Sequence, residues 1–141
     1  MKNFLKQNFK GKRVLVRVDF NVPLDNKYNI IDDTRIKSAL PTIRKLLKDN
    51  AKVILMSHLG RPQEREEKYS LKHIINYLEN TLKTTVLFSK YCVGHSVKEK
   101  VRSMGEGELL LLENLRFYKE EKAGDENFAS KLAKHGDVYI N

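Results

Sequence analysis

The sequence has only one cysteine, no long apolar run and no signal-peptide pattern, and each absence narrows the class of protein. Because Cys92 stands alone, an intrachain disulfide and a cysteine-based metal site are both excluded, which agrees with a reducing compartment. No stretch approaches the roughly 18 apolar residues of a membrane-spanning helix, and the first residues lack the apolar segment of a signal peptide. We therefore expect a cytosolic protein without membrane association.

The chain also lacks the common catalytic and nucleotide-binding motifs. It contains no Walker A pattern, no G-x-G-x-x-G and no H-E-x-x-H, so it supports neither a nucleotide site nor a zinc protease. Four acidic residues carry the oxygen ligands that a cation requires, but they lie among arginines and their spacing is uninformative: Asp19, Asp32, Asp33 and Glu113. We predict no metal site in this chain.

Positive charge is what the sequence has in excess. Lysine and arginine number 27 against 18 aspartates and glutamates, a net charge of +9, and this balance favours an anionic partner. Lysines alternate with glutamates in segments such as 98–100 and 119–122, so most of them are expected on solvated helix faces. Because zinc-finger spacing, aromatic clusters and pure basic blocks are missing, we predict no nucleic-acid partner and keep nucleic-acid binding as an alternative.

Apolar runs and segments of helical periodicity alternate along the chain. Strands are predicted at residues 13–18, 53–56, 84–88, 108–112 and 137–141. Helices are predicted between them. The first is expected to begin close to Pro41, which fits poorly inside a helix, or to have a short turn before it, while Ser70 and Asp125 are suited to cap later ones. This alternation predicts an α/β fold, a Rossmann-like open parallel sheet with helices on both faces.

Polar and basic side chains follow the predicted strands at the point where each strand ends. In a parallel sheet these strand ends share one edge, where ligands bind, so the side chains are expected to gather there. They are Arg17, Asp19 and Asn21 at the exit end of the first strand, Arg35 in the next connection, His58 and Arg61 after the second strand, and Arg116 after the fourth. Arginine bonds phosphate and carboxylate oxygens in pairs, so a small substrate carrying both groups is expected. For the turn around Gly60, a plain solvated loop remains the alternative.

Four motifs stand together in this order and carry a family resemblance. They are RVDFNVP at residues 17–23, DTRI at 33–36, SHLGRP at 57–62 and LENLRF at 112–117. Together they closely resemble the N-terminal domain of the phosphoglycerate kinases, and the similarity extends from about residue 12 to residue 141.

The resemblance implies a role for each matching residue. Asp19 and Asn21 would hold the hydroxyl region of 3-phosphoglycerate, and Arg35 would act in catalysis beside the carboxyl and the transferring phosphoryl group. The 3-phosphate would be bound by His58, Arg61 and Arg116, with Arg17 behind them. Phe20, Leu59 and Gly60 complete the substrate-binding set, the last two through the backbone of their loop.

The resemblance also implies what the whole enzyme does. The family transfers a phosphoryl group reversibly between 1,3-bisphosphoglycerate with ADP and 3-phosphoglycerate with ATP, and the enzyme is expected to be a monomer. Residues 1–141 are interpreted as part of the 3-phosphoglycerate-binding domain, an incomplete three-layer α/β/α unit that stops as a core strand ends. The C-terminal nucleotide-binding domain and its Mg-ATP/ADP site are absent from this chain, so it is expected to be a fragment that is inactive alone and able to self-associate.

The sequence also allows two alternative functions. The chain could be a separate anion-binding or regulatory module with the same basic edge, which a native stop codon after Asn141 would indicate. It could also bind nucleic acid through many scattered lysines, in which case its affinity would fall steeply with salt and would not depend on Arg61.

Overall fold

Five parallel strands form the sheet that organises the chain in a computed structural model, which describes residues 2–141. The strands are β1 (Arg13–Arg17), β2 (Lys52–Met56), β3 (Val86–Ser89), β4 (Leu109–Leu112) and β5 (Val138–Ile140), arranged in the order β3-β4-β2-β1-β5. The helices are α1 (Lys2–Lys6), α2 (Thr34–Lys48), α3 (Ile75–Leu82), α4 (His95–Arg102), α5 (Lys119–Ala123) and α6 (Glu126–Ala133). Short 3₁₀ helices at Glu67–Tyr69, Leu71–Ile74 and Leu115–Phe117 complete the regular structure.

Both faces of the sheet are covered by helices, and each face has its own apolar core. Along β4, Leu109 and Leu111 pack with buried residues of α2 and α3, whereas Leu110 and Leu112 pack with those of α4 and α6. Side chains of a strand point alternately to the two faces, so a strand covered on both sides is apolar throughout, as β4 is. The predicted Rossmann-like α/β fold is confirmed.

The direction in which the chain moves along the sheet reverses, and the reversal involves the neighbouring strands β2 and β4. From β1 to β3 the chain moves in one direction along the sheet, and from β3 to β5 it moves in the other. The connections that leave β2 and β4 therefore diverge, although the two strands are neighbours. Ligands of open α/β sheets bind at such a point, beyond the carboxyl ends of the strands. We call this side of the sheet the carboxyl edge.

The start of α2 differs from the sequence-based prediction. The helix begins at Thr34 and contains Pro41, so the expectation that it starts near the proline is wrong. A proline inside a helix costs about 3 kcal/mol, because a hydrogen bond is lost and the ring crowds the preceding turn. Pro41 lies on the exposed side, whereas Ile36 and Leu40 before it are buried in the core. Burial of this first apolar turn offsets the cost of the proline.

Two side-chain caps agree with the predictions. Ser70 Oγ accepts a hydrogen bond from the Lys72 N–H at 3.2 Å, and Asp125 Oδ1 accepts one from the Phe128 N–H at 2.9 Å. These bonds satisfy backbone donors that the first turn of a helix leaves free. Within residues 2–141, no helix has both the length and the apolar character that crossing a bilayer requires.

Candidate anion-binding site

The loops that follow β1 and β2 are joined by the Asn21 side chain. Asn21 Oδ1 accepts a hydrogen bond from the Gly60 N–H at 2.9 Å, and the Asn21 N–H donates to Asp19 Oδ1 at 3.1 Å. Because the amide oxygen of Asn21 is already engaged, the group that it offers to a ligand is its NH₂, a donor. Gly60 has a φ of +63°, a conformation that glycine adopts without steric cost.

Phe20 supports the same loop from below. Its side chain is fully buried, its N–H donates to Ser57 Oγ at 2.9 Å, and its carbonyl accepts from the Val22 N–H at 2.9 Å. Ser57 is itself buried and donates to the carbonyl of His58 at 2.9 Å. Phe20 therefore holds the loop in place through packing and backbone bonds, and its ring does not reach the surface.

Arg35 lies across the loop that follows β1. Its Nη1 donates to the carbonyl of Asn21 at 3.0 Å and lies 3.6 Å from Asp19 Oδ1. More than half of each of the two charged side chains is exposed, so their ion pair adds little stability. A guanidinium with one hydrogen bond and a loose ion pair keeps donors free for an incoming anion.

His58 lies among charged groups at the carboxyl edge. Burial lowers the pKa of His58 below its ordinary value of 6.5, and the positive charges of Arg116 and Arg17 lower it further. The negative charges of Asp19 and Glu121 raise this pKa but do not cancel the lowering. The imidazole is therefore neutral at pH 7. Arg17 Nη2 also bonds Glu121 Oε1 at 2.7 Å, so one arginine of this set already has a counterion. We call Arg17, His58 and Arg116 the basic cluster.

A cleft of about 880 Å³ opens beside the basic cluster. Of the predicted substrate-binding residues, Asn21, Arg35, Leu59 and Gly60 line this cleft, and Lys68 and Tyr69 line it as well. Asp19, His58, Arg61 and Arg116 lie outside its lining. The predicted site residues thus form two groups, and the Asn21–Gly60 hydrogen bond lies within the group that lines the cleft. Arg61 is exposed, and its side chain forms no hydrogen bond or ion pair with residues 2–141.

Glu113 and Asn114 form a buried polar pair whose role the sequence did not indicate. Asn114 Oδ1 accepts from the Leu59 N–H at 3.1 Å, and its Nδ2 donates to the carbonyls of Leu59 at 2.7 Å and Tyr69 at 2.9 Å. Glu113 accepts from Ser70 Oγ at 2.7 Å and the Leu71 N–H at 2.8 Å. The pair therefore closes the loop of residues 59–71 at both ends. The only sequence signal was two polar residues directly after a fully apolar strand.

The acidic residues considered for a cation are engaged within the protein. Glu113 is buried and bonded as above, and Asp32 Oδ1 accepts from the Thr34 N–H at 2.9 Å. In the part of the chain that the structure describes, no three histidine, cysteine, aspartate or glutamate side chains are grouped so that they could hold a metal ion.

Stability is expected to fall as the pH drops below about 6.5, because two histidines have lowered pKa values. Burial lowers the pKa of His135, whose Nε2 donates to the Cys92 carbonyl at 2.7 Å, and burial likewise lowers the pKa of His58. Below pH 6.5 the unfolded chain then binds more protons than the folded chain, so protons favour unfolding until the folded pKa values are reached.

Urea unfolding at pH 7.5 and pH 5.5 measures this effect. We expect a lower midpoint at pH 5.5 and a smaller drop for His135→Gln. The hydrogen bond from Lys45 lowers the pKa of Asp49 below its ordinary value of 3.8, so Asp49 titrates below the range of pH 5.5 to 7.5. Equal midpoints at the two pH values would refute the expectation.

Fold and geometry together define a Rossmann-like α/β domain with a candidate anion-binding site at the carboxyl edge. The phosphoglycerate kinase family model matches residues 4–141. The chain belongs to the phosphoglycerate kinase family.

Individual relatives agree with this assignment. The phosphoglycerate kinase of Aquifex aeolicus is 59% identical over 131 residues, which are 93% of this chain and 33% of the relative. The cytosolic phosphoglycerate kinase of Triticum aestivum is 48% identical over 134 residues, 95% of this chain and 33% of the relative. The crystal structure of the Pyrococcus horikoshii phosphoglycerate kinase superimposes with a TM-score of 0.84 at 34% identity, covering 96% of this chain and 35% of that one. The chain spans about a third of the length of these relatives.

Proposed function

We propose that residues 1–141 supply the 3-phosphoglycerate-binding part of a glycolytic phosphoglycerate kinase. The reaction is the reversible transfer of a phosphoryl group between 1,3-bisphosphoglycerate with ADP and 3-phosphoglycerate with ATP. The observation that carries the proposal is the convergence of the loops after β1, β2 and β4 at one edge. There the Gly60 N–H bonds Asn21, and the charge of Arg116 lowers the pKa of His58. Family membership supports the same assignment.

The 3-phosphate is assigned to His58, Arg61 and Arg116. A dianionic phosphate suits two guanidinium groups and the N–H of a neutral imidazole, because each of the three can donate a hydrogen bond to a phosphate oxygen. Burial keeps the pKa of His58 low before the ligand arrives, and a phosphate beside it would favour the protonated form. Arg17, already paired with Glu121 at 2.7 Å, is assigned to the surrounding charge and not to direct contact.

The hydroxyl region of the glycerate is assigned to Asp19 and Asn21. The Asp19 carboxylate accepts from a hydroxyl, and the Asn21 NH₂ donates to an oxygen, since its own oxygen is held by Gly60. Leu59 and Gly60 contribute backbone groups of the loop after β2, which Asn114 holds through its bond to the Leu59 N–H. Phe20 contributes by supporting the loop after β1.

Arg35 is assigned to catalysis. Phosphoryl transfer depends on alignment and on neutralising the charge of the moving group, and a guanidinium provides both. The acceptor is the carboxylate of 3-phosphoglycerate, which is ionised at neutral pH and requires no base. The donors of Arg35 that remain free beside Asn21 and Asp19 are those that would face this group.

The nucleotide is assigned to another part of the whole enzyme. The relatives are about three times as long as this chain, and its 141 residues contain no nucleotide-binding motif, so Mg-ATP/ADP would bind outside them. The 141-residue chain alone is therefore proposed to bind substrate without turnover.

We assign the cytosol as its compartment, in line with the wheat relative named cytosolic. We further propose that the whole enzyme is a monomer, whereas this chain alone self-associates through the free edge of β5, where Tyr139 is 53% exposed.

A thermal-shift titration tests the proposal. At about 100 times its dissociation constant, 3-phosphoglycerate should stabilise the chain by about 2.7 kcal/mol, and plain phosphate should not match it. Arg61→Ala should abolish the shift. Arg102→Ala should keep it, because Arg102 ends α4 at the opposite edge of the sheet and pairs with Glu99 at 3.0 Å. No shift for the parent chain, or turnover by the purified chain, would contradict the proposal.

A further inference from the structure

Arg65 is the most engaged arginine near the site, although no motif contains it. Its guanidinium carbon lies 5.0 Å from the ring centre of Tyr91, 5.5 Å from that of Phe117 and 5.4 Å from that of Tyr118. Its Nη1 donates to the Lys90 carbonyl at 3.1 Å and its Nη2 to Tyr118 Oη at 3.2 Å. A planar guanidinium can bond two acceptors at its edge while its charge faces aromatic rings.

These partners come from two other loops at the carboxyl edge. Lys90 and Tyr91 follow β3, and Phe117 and Tyr118 follow Arg116 directly after β4, whereas Arg65 belongs to the connection after β2. Tyr118 Oη also accepts from the Cys92 N–H at 2.9 Å, which fixes the ring that Arg65 contacts. Arg65 therefore joins the three loops that leave β2, β3 and β4.

Apart from Arg65, the middle of the loop of residues 59–71 is held mainly by bonds within the loop itself, such as Gln63 N–H to Glu66 Oε2 at 3.2 Å and Tyr69 N–H to the Glu66 carbonyl at 3.0 Å. Asn114 and Glu113 hold its two ends, and Lys122 Nζ donates to the Pro62 carbonyl at 3.1 Å. Arg61 stands between these points with a free side chain, and Arg65 makes the contacts that tie the middle of the loop to the Arg116 segment. A loop restrained only at its ends samples more conformations and has more entropy to lose on binding.

We infer that Arg65 is a positioning residue that sets where Arg61 stands relative to Arg116, and thereby the affinity of this edge for a phosphate ester. The inference rests on the proposed function. Arg65 is assigned to positioning and not to ligand contact, because two of its N–H donors bond oxygens of two other loops and aromatic rings lie beside its face. Its role differs from that of a general positive charge, since it depends on two acceptors in two different loops.

The substitution Arg65→Lys separates geometry from charge. Lysine keeps the charge and can approach one ring, but its single ammonium cannot bridge the Lys90 carbonyl and Tyr118 Oη as the fork does. We expect 3-phosphoglycerate to bind Arg65→Lys roughly tenfold more weakly, with a thermal midpoint close to that of the parent, because Arg65 is exposed. Arg65→Met should weaken binding further. Arg44→Lys is the matched control. Arg44 lies on α2, and its side chain also donates to a carbonyl, that of Thr81 at 3.1 Å.

Calorimetry with 3-phosphoglycerate and amide hydrogen exchange of residues 60–66 give the two readouts. Weaker binding together with faster exchange in Arg65→Lys, and neither in Arg44→Lys, supports the inference. Unchanged affinity in Arg65→Lys overturns it, because charge alone would then suffice. If the parent chain binds no 3-phosphoglycerate, the proposed function fails, and exchange alone decides whether Arg65 restrains the loop: faster exchange supports this role and unchanged exchange overturns it.

Discussion

Replacing Asn114 with aspartate is expected to lower the free energy of unfolding by about 3 kcal/mol or more at neutral pH. Asn114 is fully buried and donates to the carbonyls of Leu59 at 2.7 Å and Tyr69 at 2.9 Å. Aspartate has the same shape, but it loses both donors and sets a carboxylate oxygen against two carbonyl oxygens. Each carbonyl then becomes a buried acceptor without a partner, and the new charge is desolvated.

Urea unfolding of Asn114→Asp beside Asn127→Asp measures this cost. Asn127 is exposed in the first turn of α6, where an added negative charge is tolerated, so its change is expected within about 0.5 kcal/mol of zero. The deficit of Asn114→Asp should also be smaller at pH 5 than at pH 7.5, because a protonated carboxyl restores one donor. Equal stabilities of the two variants would show that Asn114 does not hold the loop.

Substituting Gly60 with alanine is expected to cost about 3 kcal/mol and to abolish 3-phosphoglycerate binding. The φ of +63° is unfavourable for any residue with a Cβ, and a Cβ here would lie 2.4 Å from Tyr69 Cε1 and 2.5 Å from its Cδ1. The ring or the loop must then move. Because the Gly60 N–H bonds Asn21, such a movement would break the hydrogen bond that joins the loops after β1 and β2.

A double-mutant cycle with Tyr69→Ala resolves the two contributions. In the Tyr69→Ala background, Gly60→Ala should retain only the backbone cost of about 1–2 kcal/mol, because the overlapping ring is gone. Gly124→Ala is the matched control, since Gly124 has a φ of +66° and a Cβ at this position would meet no other atom within 4 Å. If Gly60→Ala and Gly124→Ala cost the same, the contact with Tyr69 plays no part.

The sequence predicts the strands and their ends well because periodicity and burial act locally. β4 is one apolar run, and the polar residues after it mark the carboxyl edge without any knowledge of pairing. Pro41 shows where local preference fails, since the burial of Ile36 and Leu40 comes from tertiary packing that the sequence does not display.

The contacts of Asn114 and Arg65 that hold the site loops could not be predicted, because they too depend on tertiary packing. Asn114 bonds Leu59, which is 55 positions away, and Arg65 contacts rings from two later loops. Such partners follow from the strand order, which places β4 beside β2, and not from spacing along the chain. Phe20 stays a predicted substrate-binding residue, and the structure adds that its buried ring supports the loop, which its place in a motif did not indicate.

The most direct test of the account is a nitrogen-15 NMR titration of the chain with 3-phosphoglycerate. We predict saturable shift changes at the backbone amides of Asn21, Gly60 and Arg61 and at the side-chain signals of Arg35 and Arg116. The amides at the end of α4, around Arg102, should stay unchanged, because this helix ends at the opposite edge of the sheet. Changes confined to lysine-bearing helix faces, or none at saturating ligand, would contradict a 3-phosphoglycerate site at the carboxyl edge.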